Sequence, residues 1–272
     1  VFEVIAMDYV AWNSLASQLT QKTHMVQFYG GDPESLIVNV GRFLREGLVH
    51  GDALIVISSP EQNDAFAQQL AQVAATSGDR AVPADRVLFL DAEKTRAKIL
   101  ANGQLDLNST RRAIDDAIGK AREQATNDCV RVYGDLVGKL WKSREYAAST
   151  ALEDFWNEMV ATNELAAFCG YPIDVCSAEF ETTAEVLLSS HSHFVRTERN
   201  EDLEHAILRA MREVLGSRAG VLIDLMRAHH RFWSAAMFSK AEAHALWVRN
   251  ELPDCADEIL GRAARYYDAA KR

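Results

Sequence analysis

Apolar and polar positions change their period several times along this chain, and the changes mark out its elements. Short, mostly apolar runs occur at Met25–Tyr29, Ala53–Ser58, Val87–Asp91, Val130–Tyr133 and Leu165–Tyr171, the one at Ala53–Ser58 continuous. Runs of this length predict parallel strands covered on both faces. Between them, apolar residues recur at helical spacing. Leu36, Val40, Phe43, Leu44 and Leu48 share one face of a helix that stops near Gly47; Asp32 caps it and Pro33 suits its first position. Phe66, Leu70 and Val73 define a helix over Pro60–Thr76. Ile114, Ile118 and Ala121 define another over Thr110–Thr126, capped by Ser109. Ala92–Ala101 and Glu145–Thr162 read as helices too, while Gly30–Pro33, Gly78–Pro83 and Asn102–Asn108 read as turns or loops.

Strands alternating with helices predict an α/β fold: a mostly parallel sheet of about five strands with helices on both faces. After Pro172 the pattern changes. Glu179–Ser190 is helical, His191–Phe194 breaks the pattern, and Arg196–Glu201 is a charged connector. Helices alone follow, over Leu203–Leu215, Gly220–Lys240, Ala241–Asn250 and Asp254–Lys271. Tyr9, Trp12, Leu15 and Leu19 predict a short leading helix within residues 1–23. The expected organisation is an α/β domain over residues 1–195 and an all-helical segment over 196–272. That segment is expected to pack on the first domain or on a second subunit.

Composition narrows the class. The chain is 48% hydrophobic and 25% charged, as soluble globular chains are. No apolar run approaches the ~20 residues of a membrane helix. Val1–Ala6 is too short, and lacks the basic start, for a secretory signal. The cysteines Cys129, Cys169, Cys176 and Cys255 form no C-x-x-C pair. A zinc site built on cysteines is therefore not expected, and free thiols fit a reducing cytoplasm. A net charge of -10 disfavours direct nucleic-acid binding. A homo-oligomer or a regulatory protein partner is expected instead, with no membrane contact.

The candidate chemistry lies where strands end: Tyr133, Asp135, Trp141, Glu153, Trp156, Cys169 and Tyr171. Ligands of open α/β sheets bind off the carboxyl ends of the strands. No G-x-x-x-x-G-K-[ST] loop follows the first strand, and no G-x-G-x-x-G occurs. His24, Phe28, Tyr29 and Tyr133 would make an aromatic wall with one titratable group, which suits a mostly apolar pocket. Trp141 and Trp156 fit core packing or pocket lining. Asp91, Asp135 and Glu153 fit either acid–base work or, more simply, capping and buried hydrogen bonds. His191, His193, His205, His229, His230 and His244 leave a metal or haem site in the tail as an alternative, although no H-x-x-x-H pair is present.

Four patches, taken together, resemble a known family. They are His24-Met25-Val26-Gln27-Phe28-Tyr29, Tyr133–Trp141 (Y-G-D-L-V-G-K-L-W), Leu152–Glu158 (L-E-D-F-W-N-E) and Cys169–Pro172 (C-G-Y-P). In this order they are similar to the MEDS domain, a sensory domain named for methanogens and methylotrophs, over about residues 24–195. The resemblance implies a RecA-like core that has lost its nucleotide motif and senses small, often apolar, organic compounds. It also implies a place in bacterial or archaeal regulators, beside kinases or DNA-binding helices. The expected function is a non-enzymatic sensor that binds a small organic ligand near His24, Phe28, Tyr29, Tyr133, Asp135, Trp141, Glu153, Trp156, Cys169 and Tyr171. No metal ligands are assigned and no cofactor is identified. The alternatives are a degenerate RecA-like ATPase or hydrolase using Asp135 and Glu153, a metal or haem sensor, and a structural scaffold.

Overall fold

The computed structural model describes residues 22–30, 32–77, 86–162, 165–188, 190–195, 200–233 and 239–270. The leading helix expected within residues 1–23 lies outside these, apart from its last two residues. So do the Gly78–Pro83 loop and most of the charged connector.

Six parallel strands form the main sheet: β1 (Thr23–Phe28), β2 (Ala53–Ser58), β3 (Val87–Asp91), β6 (Val130–Gly134), β7 (Leu165–Tyr171) and β8 (His193–Phe194). Two further short strands, β4 (Leu100–Ala101) and β5 (Gln104–Leu105), form a separate antiparallel pair. The main sheet runs in the order β3-β2-β6-β7-β1-β8. The helices are α1 (Pro33–His50), α2 (Pro60–Ser77), α3 (Ala92–Ile99), α4 (Leu107–Arg122), α5 (Leu136–Lys142), α6 (Tyr146–Thr162) and α7 (Ala178–Leu188). Beyond β8 come α8 (Asn200–Leu215), a 3-10 turn at Gly216–Arg218, α9 (Ala219–Trp233), α10 (Lys240–Glu251) and α11 (Pro253–Ala270).

The α/β class is as the apolar runs predict. β1, β2 and β7 are buried at every position, so both faces need apolar side chains and no polar alternation appears. The period of two still sorts residues by face. Val26, Phe28, Ile55, Ile57, Val132, Ala167, Cys169 and Tyr171 join one core with α4, α5, α6 and α7. Met25, Leu54, Val56, Tyr133 and Phe168 join the core on the opposite face, against α1 and α2. The bundle helices α8–α11 build a third core, to which Val175 and Cys176 of the β7–α7 loop contribute.

The sheet has six strands rather than five. β8 pairs with β1 through Met25↔His193 and Val26↔Phe194, where the sequence shows only a break. Two residues are too few to display any period. The helix expected over Ala92–Ala101 ends at Ile99, and a β4–β5 hairpin spans Leu100–Leu105, running into the expected loop at Asn102–Asn108. Asn102 and Gly103 both have positive φ there, as a tight two-residue hairpin turn requires. α4 consequently starts earlier than expected, capped by Asp106, whose carboxylate accepts from the backbone N–H groups of Asn108 and Ser109. It also ends earlier, at Arg122. α5 is an additional helix. The helix expected over Gly220–Lys240 ends at Trp233 in the described residues. α10 opens at Ser239, where Ser239 and Glu242 cap each other's backbone.

Candidate functional site

The polar centre of the molecule lies under the sheet between β1, β7 and α6. His24 on β1 and Cys169 on β7 face the same way because β1 and β7 pair with His24 opposite Ala167, two residues before Cys169. Tyr171 follows two residues later on the same face. α6 passes over this face and lowers Glu153 and Asn157 onto it. The fourth contribution is His191, in the short segment between α7 and β8.

Glu153 is the hub. Its Oε1 accepts from the Tyr171 hydroxyl at 2.5 Å. Its Oε2 lies 3.3 Å from His24 Nε2, 3.4 Å from His191 Nε2 and 3.9 Å from Cys169 Sγ. His24 Nε2 is also 3.3 Å from Cys169 Sγ. The two imidazole rings stand 4.1 Å apart, centre to centre. One donor atom from each of His24, Glu153, Cys169 and His191 falls within 4.8 Å of all the others. Every one of these side chains is buried.

Hydrogen bonds fix which imidazole nitrogens are free. His24 Nδ1 lies 2.8 Å from Asn157 Oδ1, and His191 Nδ1 lies 2.8 Å from the Leu187 carbonyl oxygen. Both partners accept, so both Nδ1 atoms carry the proton. Both Nε2 lone pairs therefore point into the centre. His191 Nε2 has no hydrogen-bond partner there.

Burial favours the uncharged forms throughout. It pushes His24 down to about 4, helped by His191 and opposed by Glu153. It pushes His191 down to about 4, opposed by the Leu187 carbonyl. The Glu153 carboxyl is raised by burial, against the pull of His24 and Tyr171. The Cys169 thiol and the Tyr171 phenol are both held well above their usual ranges, again mainly by burial. An aromatic wall adjoins the centre: Phe28 packs on Tyr171, Phe180 and Phe194 at 6.0, 5.0 and 5.5 Å between ring centres.

The other candidate residues divide between two places. Tyr133 and Tyr29 belong to the opposite face of the sheet, and β7 separates β1 from β6, so no continuous wall joins them to Phe28. Tyr133 is packed between Phe66 and Phe168. Asp135 accepts from Ser58 Oγ at 2.8 Å and pairs with Lys139 at 3.0 Å. It therefore sits in a different network from Glu153, and the two carboxyls do not form an acid–base pair. Asp91 caps α3. Trp141 packs edge-on against Tyr146, and Trp156 against Phe155, within the core.

The turn after β1, where a phosphate loop would lie, is filled by the chain itself. Asp32 caps α1, accepting from Ser35 N at 3.1 Å and Ser35 Oγ at 2.5 Å. A helix N-terminus is a natural anion site, and here a buried carboxylate of the protein occupies it. Tyr267 of α11 donates to the same carboxylate at 3.1 Å. Gly30 N, in the preceding turn, donates to the Ile173 carbonyl.

Of the tail histidines, His191 joins the centre, the one that does so among the described residues; His205 and His229 are exposed and His244 is buried in α10. Sequence spacing could not single out His191, because its partners come from stretches far away in the chain. Its one sequence signal was position, at a break just after the α/β pattern ends.

The fold is therefore an all-parallel α/β sheet flanked by helices, with a closed polar centre buried on one face. The chain belongs to the MEDS family, the MEthanogen/methylotroph, DcmR Sensory domain, which matches it over residues 23–192, more than half its length. No curated protein and no solved structure matches the chain. Among the described residues, no helix is long and apolar enough to cross a membrane.

Proposed function

We propose that this chain is a sensory protein that receives a small chemical signal at the His24–Glu153–Cys169–His191 centre and passes it to the helical bundle. Family membership supports the sensory role. The observation that carries the location is the centre itself. Two imidazoles, a carboxyl, a thiol and a phenol are buried together, and one imidazole nitrogen makes no hydrogen bond. Burying such groups disfavours folding compared with apolar side chains of similar size. A core required only to be stable has no use for them.

The aromatic wall of Phe28, Tyr171, Phe180 and Phe194 would take the apolar part of a small organic ligand. Two routes lead outward to the bundle. His191 lies two residues before β8, and the chain continues from β8 towards α8. Phe28 ends β1, and the turn that follows is held by Tyr267 of α11 through Asp32. A ligand moves the bundle only if it binds one arrangement better than another.

The test is the melting temperature of the full chain against a panel of small alcohols, aldehydes, thiols and first-row divalent cations. A compound should stabilise the wild type and have no effect on Cys169→Ser. Equal shifts in both proteins would place recognition elsewhere. No shift with any compound would contradict the reading.

A further inference from the structure

We infer that His24, Glu153, Cys169 and His191 form a four-coordinate site for a divalent transition-metal ion of the zinc class. The site follows from geometry alone; only its role as the signal rests on the sensory reading above.

Bonds of ~2.0–2.3 Å to nitrogen, oxygen and sulfur at tetrahedral angles place the donors roughly 3.3–3.6 Å apart. The observed separations are 3.3 Å for His24 Nε2 to Glu153 Oε2 and 3.3 Å for His24 Nε2 to Cys169 Sγ. His191 Nε2 to Glu153 Oε2 is 3.4 Å, and Cys169 Sγ to Glu153 Oε2 is 3.9 Å. These four of the six edges are close to those of a tetrahedron around an ion, and the remaining two, from His191 to His24 and Cys169, lie within 4.8 Å and close on binding.

The donors are also presented correctly. Each imidazole offers its Nε2 lone pair because its Nδ1 is committed to an oxygen acceptor, Asn157 Oδ1 or Leu187 O. Such outer partners orient histidine ligands in metal sites. The Tyr171 hydroxyl takes Oε1 of Glu153 and leaves Oε2 for the ion. The buried His191 Nε2, which makes no hydrogen bond, gains a bond to the ion. Two nitrogens and a sulfur exclude magnesium and calcium and select the zinc class. Four protein donors close the coordination, so the ion would be held and reported rather than used to activate water. Entry of the ion sends the Cys169 thiol proton to solvent, together with any proton on Glu153. No electron is transferred.

Cobalt(II) is the probe. The full chain, stripped with a chelator, is titrated with cobalt(II) and followed by absorption. The site predicts the strong visible bands of a tetrahedral ion and a thiolate-to-cobalt charge-transfer band. Cys169→Ser should remove the charge-transfer band. His191→Gln should weaken binding by about tenfold or more. Asn157→Ala should weaken it about 10–100-fold with the charge-transfer band intact, since Asn157 positions His24 without touching the ion. Affinity should rise about tenfold per pH unit while the free thiol is protonated. Circular dichroism checks that each variant is folded.

A spectrum like that of cobalt(II) in buffer, or one unchanged in Cys169→Ser, overturns the site. If cobalt fails but an organic compound still stabilises only the wild type, the metal falls and the sensory reading stands. If the tetrahedral spectrum forms but the bundle's amide exchange does not respond, the site stands and transmission falls.

Discussion

At the residue scale, this protein places charge where charge is costly. Arg131 on β6 meets Asp52 at 2.5 Å with both side chains 4% exposed, and stacks over Phe43. Removing one partner leaves the other buried and unpaired, which costs about 3–5 kcal/mol. Asp52→Ala should lower the urea unfolding free energy by that amount. Replacing both with apolar residues of similar volume should cost much less. The polar centre gives a second residue-scale expectation, through pH. His24 and His191 are held down to about 4 when folded, against 6.5 unfolded. Below pH 6.5 the unfolded chain takes up protons that the folded centre refuses, so the histidine contribution is lost as pH falls towards 4. Glu153 works in the opposite sense, because its raised carboxyl takes up a proton in the folded state first. Comparing pH–stability profiles of the wild type and His191→Gln isolates one histidine. The variant should lose part of the stability decline between pH 6.5 and 4, and a profile parallel to the wild type would refute the shift. At this scale the residue types of the centre were legible, alongside Tyr29, Tyr133, Asp135, Trp141 and Trp156, which the fold places elsewhere. His24, Glu153, Cys169 and Tyr171 stand out as polar residues on or near apolar runs. Their grouping was not legible, since it depends on the β1–β7 register and on the return of the chain to His191 after α7.

At the scale of elements, the family's sequence patches interlock. A Cβ on Gly170 would lie 2.5 Å from the Tyr133 hydroxyl, and one on Gly138 would lie 2.4 Å from the Gly170 carbonyl oxygen. Gly138 thus lets α5 cross β7, and Gly170 makes room for the ring of Tyr133. Tyr133 is fully buried and wedged between Phe66 and Phe168, so it has nowhere to go. Gly170→Ala should therefore destabilise by about 1–3 kcal/mol, the range for overpacking, read as a lowered urea midpoint. A neutral result would mean that Tyr133 shifts freely. The parallel strands were legible because burial on both faces leaves them mostly apolar, with few polar interruptions such as Gln27 and Arg131. β8 was hidden by its two-residue length. The β4–β5 hairpin did carry its Asn102-Gly103 turn signal, but its strands are too short to show alternation around it.

At the scale of the molecule, a sheet whose β1–α1 turn is closed by Asp32 is joined to a helical bundle by packing and by a phenol hydrogen bond. Asp32 takes the place of a bound anion and Tyr267 of α11 reaches it. Arg249 of α10 adds a second tie, donating to the Cys176 carbonyl at 2.9 Å. Tyr267→Phe should cost roughly 1.5–3 kcal/mol, the net worth of one hydrogen bond to a charged group, and should speed amide exchange at the start of α1 and in α11. This tie was invisible in sequence, since its two ends lie 235 positions apart. Ala243 and Leu246 of α10 pack directly into the core on the centre's side of the sheet, so the tie is one of several contacts between the two.

The claim that the buried centre speaks to the bundle is tested most directly by amide hydrogen exchange of the full chain, wild type against Cys169→Ser. That substitution changes one atom inside the centre and touches nothing in the bundle. Altered exchange in β8 and in α8 and α11, beyond the local change in β7 and α6, is the result expected. Changes confined to β7 and α6, with the bundle exchanging as in the wild type, would contradict it.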